Sequence, residues 1–159
     1  GGVGKTTLAK AVFNQIYRSF DGSCFLGDVR QECVDGGRAG LKRLQEQLLC
    51  KTLNIRKLKV HHVDEGISLI KRRLGQKKVL IVVDDVEDKS QLDALVGDRD
   101  WFGPGSRIII TTRNVNLLSP EKSLQLFSWH AFKNPNPLVA FIELSNMIVS
   151  SVGGLPLAL

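Results

Sequence analysis

Residues 1–17 read GGVGKTTLAKAVFNQIY. Gly1-Gly2-Val3-Gly4-Lys5-Thr6-Thr7 matches the end of the phosphate-loop pattern G-x-x-x-x-G-K-[ST], whose opening glycine is expected just before residue 1. Glycines let the backbone turn sharply, so that several N–H groups face one anion. Beyond Lys5, apolar residues fall at Leu8, Val12, Phe13 and Ile16, the spacing of one helical face. The start of that helix points its positive end at the same place. Lys5 adds a full charge, worth on the order of 4 kcal/mol against an anion at about 4 Å and an effective dielectric of 20. Thr6 can offer its hydroxyl to magnesium. The stretch predicts a purine nucleotide whose phosphates are held by Gly2, Val3, Gly4, Lys5, Thr6 and Thr7. A Gly-rich turn before an ordinary helix is the competing reading.

Working outward, SCFLGDVR at 23–30 begins with the apolar run of a short buried strand. Cys33 to Gly40 is rich in glycine and charge and reads as a loop. Leu41, Leu44, Leu48 and Leu53 mark one helix; Val63, Ile67, Ile70 and Leu74 mark another, ended by Gly75. Val79-Leu80-Ile81-Val82-Val83 is an unbroken apolar run, as expected of a strand buried on both faces of a parallel sheet. Leu92, Leu95 and Val96 give a short helix, Gly103-Pro104-Gly105-Ser106 a turn, and Arg107 to Thr112 a second buried strand. The alternation predicts an α/β fold: a parallel sheet with helices on both faces and right-handed crossovers. After Arg113 strands stop. Glu121–Phe132 and Leu138–Val149 have helical periodicity, with Pro137 fit for a first turn. This divides the chain into residues 1–118, a phosphate-loop nucleotide-binding domain, and 119–159, the start of an all-helical subdomain.

The bulk properties agree with a globular domain. The chain has 159 residues, 43% hydrophobic and 24% charged, enough to bury a core without disulfide or metal. No apolar run approaches the roughly 18 residues of a membrane span. Cys24, Cys33 and Cys50 form no C-x-x-C pair and read as reduced thiols of a cytosolic protein. The net charge of +6 is dispersed; Arg56-Lys57-Leu58-Lys59 and Lys71-Arg72-Arg73 read as solvated helix faces. Trp101, Trp129 and Tyr17 read as core. Both ends fall inside motifs, so the chain is expected to be a piece of a longer protein, without a secretory leader of its own.

A second chemical signal follows the Val79–Val83 strand. Asp84 and Asp85 end it at the C-terminal edge of the sheet, where ligands of parallel sheets bind. Asp84 is the candidate magnesium holder; Asp85 is placed to orient or deprotonate a water. Arg113, after Thr111-Thr112, could reach a γ-phosphate from a neighbouring strand end. Gly154-Leu155-Pro156-Leu157 is by its own chemistry only a turn before a helix.

In order and spacing, GGVGKTTLA (1–9), VLIVVDDVEDKSQLDAL (79–95), GSRIIITTR (105–113), LFSWHAF (126–132) and GLPLAL (154–159) resemble the NB-ARC nucleotide-binding domain of plant disease-resistance proteins. SCFLGDVR and Asp88 resemble its TIR-type subclass. The resemblance implies a P-loop NTPase followed by an ARC1-like helical subdomain, with ADP/ATP and Mg2+ as cofactors. It implies a switch, off with ADP and on with ATP, that is at most a slow ATPase. Arg113 resembles the family's sensor arginine and Pro156 the proline packed on adenine; Asp85 and Arg113 are the catalytic candidates, Thr6 and Asp84 the metal ligands. Implied partners are TIR-like and leucine-rich-repeat domains of the parent protein, and self-association on activation, with no nucleic acid or membrane, in the cytoplasm or between cytoplasm and nucleus. One departure stands out: only Asn114–Pro120 links Arg113 to Glu121, too short for the further strand usual there. The alternatives are an ordinary P-loop kinase or ATPase, and a nucleic-acid-binding regulator of the same ATPase superfamily.

Overall fold

The computed structural model describes residues 4–114 together with Asn136, Ile142, Glu143, Asn146 and Met147. The chain divides into two compact units, 1–113 and 114–159. Of the segments read as helices after Arg113, only Ile142, Glu143, Asn146 and Met147 are described, and these four are helical. The rest of both segments, Trp129 included, lies outside the described residues, and so does Pro156.

The first unit is built on three parallel strands, β1 (Gly22–Leu26), β2 (Val79–Val86) and β3 (Arg107–Thr112), in the order β1-β2-β3. Helix α1 (Lys5–Ile16) precedes β1. Helices α2 (Val29–Leu53) and α3 (Val63–Leu74) connect β1 to β2, and α4 (Lys89–Val96) connects β2 to β3. Successive strand residues face opposite sides. Val79 through Val83 are each fully buried, so both faces of β2 are covered. Helix α1 packs on β2 and β3, and α2 on β1 and β2, with α3 and α4 against α2. All three strands run the same way, so their C-terminal ends share one edge, and that edge carries Asp84, Asp85 and Arg113.

Local chemistry explains the joints. Asp88 caps α4 by accepting from the N–H groups of Ser90 and Gln91. The Gly103–Ser106 turn is tied to β2 because Ser106 Oγ accepts from the Val79 N–H at 2.9 Å and contacts the Gly103 carbonyl at 2.7 Å. Gln45, fully buried on α2, donates its amide to the carbonyls of Val63 and Ala94, both at 2.9 Å. One side chain thereby fastens three helices.

Several expectations are corrected. Cys33–Gly40 is not an open loop: it is helical on either side of Gly37 (φ 50°, ψ −129°), where the range labelled α2 breaks into two helices and the chain folds back, bringing Gly40 against the Glu32 backbone. Residues 31–39 are exposed or half-buried, and apart from Val29 the buried residues of the range begin at Gly40, so the core-facing part is the second helix. The β3 strand is not buried on both faces: Ile110 is 41% exposed and Arg107 is exposed. Its isoleucines satisfy strand propensity at what is, among the described residues, an edge of the sheet. Leu8 is 51% exposed and Ala9 takes the buried position on α1. Tyr17 is 36% exposed and stacks on Phe13 rather than joining the core. Trp101 is buried, with the Lys71 ammonium 4.8 Å from its ring centre.

Candidate functional site

Gly4 sits immediately before α1 in the left-handed region (φ 76°, ψ 18°), a conformation glycine adopts without cost. Lys5 and Thr6 follow as the first helical residues, both half-buried, while Thr7 is exposed. Gly2 and Val3 lie outside the described residues. The packing of α1 on β2 brings Thr6 to the strand end 78 positions away: its Oγ1 donates to the Asp84 carboxylate, 3.0 Å from each oxygen.

The strand end is irregular in an informative way. Val83 pairs with Ile110 and Val86 with Thr112, so Asp84 and Asp85 together face the single residue Thr111. This two-against-one arrangement is a β-bulge, a device that re-aims side chains. Asp85 takes it up with φ 59°, a region aspartate tolerates better than most residues. The extra residue's N–H loses its ladder partner and is recovered by Thr111, whose Oγ1 accepts it at 2.9 Å. The same hydroxyl donates to Asp84 Oδ1 at 2.5 Å. Asp84 is 2% exposed, and Thr6 and Thr111 satisfy it from two sides.

Asp85 is held differently. Arg113 grips it in a bidentate pair, Nε to Oδ1 and Nη2 to Oδ2, both at 2.7 Å. Arg30, in the first turn of α2, adds Nε to Oδ2 at 3.3 Å. The Arg113 hydrogen bonds hold the Asp85 carboxyl below the usual carboxylate range, with Arg30 adding to the effect and burial opposing it. The same pairing raises Arg113. A carboxylate so occupied is a weak base.

The donor set fits a magnesium ion. Thr6 Oγ1 and the Asp84 carboxylate are hard oxygens in direct contact beside the phosphate loop, and Mg2+ takes one or two such protein ligands, with phosphates and waters completing its shell.

Sequence comparison bears on what this edge is for. The NB-ARC domain model matches residues 1–136. The chain belongs to the NB-ARC family. TMV resistance protein N of Nicotiana glutinosa is 41% identical over 178 aligned positions, covering 100% of this chain and 15% of that protein. Disease resistance-like protein DSC1 of Arabidopsis thaliana is 40% identical over 171 positions, covering 99% of this chain and 14% of that protein. Disease resistance protein RUN1 of Vitis rotundifolia is 39% identical over 174 positions, 100% of this chain and 13% of that protein. The NB-ARC chain therefore spans about one seventh of these relatives. Each alignment is longer than the chain's 159 residues, so the relatives carry internal residues that it lacks.

Of the predicted site residues, the NB-ARC fold brings Gly4, Lys5, Thr6, Asp84, Asp85 and Arg113 to one edge. Two participants carried no role in the sequence reading. Thr111 was legible only as a strand residue, although a hydroxyl beside two acids at a parallel-strand end is a usable signal. Arg30 ends the quoted SCFLGDVR segment, and its place just past a strand was the available clue. Elsewhere, an open cavity of about 610 Å3 lies among α2, α3 and α4, lined by Arg38, Lys42, His61, His62 and Asp93 among others; its mixed charges select no single ligand chemistry. No described helix is long and apolar enough to cross a membrane.

Proposed function

We propose that this chain is the nucleotide-binding module of a plant immune receptor, a switch held off by ADP and turned on by ATP, with slow hydrolysis resetting it. The observation that carries the reading is the contact of Thr6, at the start of the phosphate-loop helix, with Asp84 at the end of β2. Phosphates would lie on the Gly2–Thr7 loop, with Lys5 as the charge. Thr6 and Asp84 would hold Mg2+, which supplies charge neutralisation to the bridging phosphate oxygens. Arg113 is the reader of the terminal phosphate and Pro156 the adenine contact. Asp85 orients water and, held by two guanidinium groups, abstracts protons poorly, which accords with slow turnover. The parent protein would add TIR-like and leucine-rich-repeat domains, act in the cytoplasm, and self-associate on activation. A switch of this kind needs only that each nucleotide favour one arrangement of the protein over the other.

The test is nucleotide retention. Purified chain is denatured and the released nucleotide quantified, for wild type and Lys5→Ala. Wild type is expected to release adenine nucleotide and Lys5→Ala almost none. Equal amounts in both would refute the phosphate-loop assignment.

A further inference from the structure

Asp85 carries one negative charge and faces two positive ones. Its partners come from opposite neighbours of the central strand: Arg113 directly follows β3, and Arg30 lies in the turn of α2 that follows β1. The two grips are unequal. Arg113 makes two bonds of 2.7 Å, yet its side chain is 53% exposed; Arg30 makes one of 3.3 Å from a side chain 39% exposed. Asp85 itself is only 16% exposed and adjoins the buried Asp84.

These facts constrain any event that draws Arg113 away. If Arg113 turns to a terminal phosphate, Asp85 must either stand as a half-buried carboxylate between Asp84 and an incoming polyanion, or keep another counter-ion. We infer that Arg30 is that counter-ion, a positioning residue that keeps Asp85 neutralised and thereby lets Arg113 exchange its carboxylate for a terminal phosphate. The inference rests on the nucleotide reading above. It adds that preference for a triphosphate over a diphosphate depends on a residue that touches neither. The exchange swaps ion pairs only: Arg113–Asp85 breaks, Arg113–phosphate forms, and Arg30–Asp85 persists. A diphosphate has no γ-phosphate to offer Arg113, so its binding leaves the clamp closed and is indifferent to Arg30.

The experiment measures Kd for ADP and for a non-hydrolysable ATP analogue, with Mg2+, by calorimetry on the 159-residue chain. Variants are Arg30→Gln, Arg30→Lys, Arg113→Gln and the Arg30→Gln/Arg113→Gln double. Arg30→Gln is expected to weaken the triphosphate by about three- to fivefold, the scale of a partly exposed ion pair, while leaving ADP within about 1.5-fold. Arg30→Lys, which keeps the charge, should recover most of the preference. In the Arg113→Gln background, Arg30→Gln should no longer change the ratio, as a shared device requires. An equal loss for both nucleotides, or a ratio effect that survives without Arg113, overturns the inference. So does a fully wild-type ratio in Arg30→Gln. Thermal unfolding of each variant without nucleotide identifies misfolding, in which case Arg30→Lys decides the matter: a folded Arg30→Lys with no preference overturns the inference. If wild type bound neither nucleotide, the nucleotide reading itself would fall and this inference with it, a result distinct from every pattern above.

Discussion

Replacing Thr111 with valine removes one hydroxyl and keeps the side chain's shape. Two bonds depend on that oxygen: it accepts from the Asp85 N–H at 2.9 Å and donates to Asp84 at 2.5 Å. Thr111 is 8% exposed and Asp84 2%, so water does not readily replace either partner. A lost neutral bond costs about 1 kcal/mol, and one to a charged group about 1.5–3 kcal/mol. Thr6 still donates to Asp84, which places the charged loss at the lower end. The sum is roughly 2–3 kcal/mol. At a urea m-value of about 1.5 kcal/mol per molar, that moves the midpoint down by roughly 1.3–2 M. Urea titration followed by tryptophan fluorescence measures it. Thr111→Ser is the control: it keeps both bonds, loses one methyl, and should fall within about 1 kcal/mol of wild type. A Thr111→Val midpoint indistinguishable from wild type, or a serine variant as weak as the valine one, would show that the hydroxyl does not hold the bulge.

Three further outcomes are expected. Gly22→Ala would drive a Cβ into the Thr52 backbone carbonyl, so about 1–3 kcal/mol of stability should be lost; an unchanged melting temperature would contradict the close approach of β1 and α2. Burial pushes the Cys24 thiol up to about 12, with Lys51 opposing weakly. At pH 9 iodoacetamide should therefore modify Cys33 and Cys50 before Cys24, and mass mapping that finds Cys24 labelled first in folded protein would refute its burial. Because Asp85 is depressed in the folded state, its ion pairs contribute stability above the ordinary carboxylate value of about 4 and lose it as pH falls through the lower folded value. Asp85→Asn should thus be about 1 kcal/mol less stable than wild type at pH 7, and the gap should close on acidification below about pH 4; a gap that widened would reverse the sign of the argument.

The sheet was readable because its signals are local and strong. Val79–Val83 could only be a strand covered on both sides, and the Gly-Lys-Thr run could only precede a helix. The α2 helix was harder. Residues 31–39 have neither good propensity nor clean periodicity, and none of them is buried, so no apolar face announces a helix there. The isoleucines of β3 mark a strand but cannot say how many of its sides are covered. At the site, residue types identified Thr6, Asp84, Asp85 and Arg113 as participants. Who holds whom was not legible. The Arg30–Asp85 pair spans 55 positions and Thr111–Asp84 27, and each depends on a pairing irregularity that no composition or period encodes.

That irregularity sets stability against use. Deleting either aspartate from the bulge would restore an unbroken ladder between β2 and β3, with one fewer residue in a left-handed conformation. It would also leave a single carboxylate to serve both the loop and the arginines. A sheet optimised for thermal resistance would therefore be selected toward the shorter strand. Stabilising changes sought in this chain are best confined to positions that leave the two-against-one pairing of Asp84 and Asp85 with Thr111 intact.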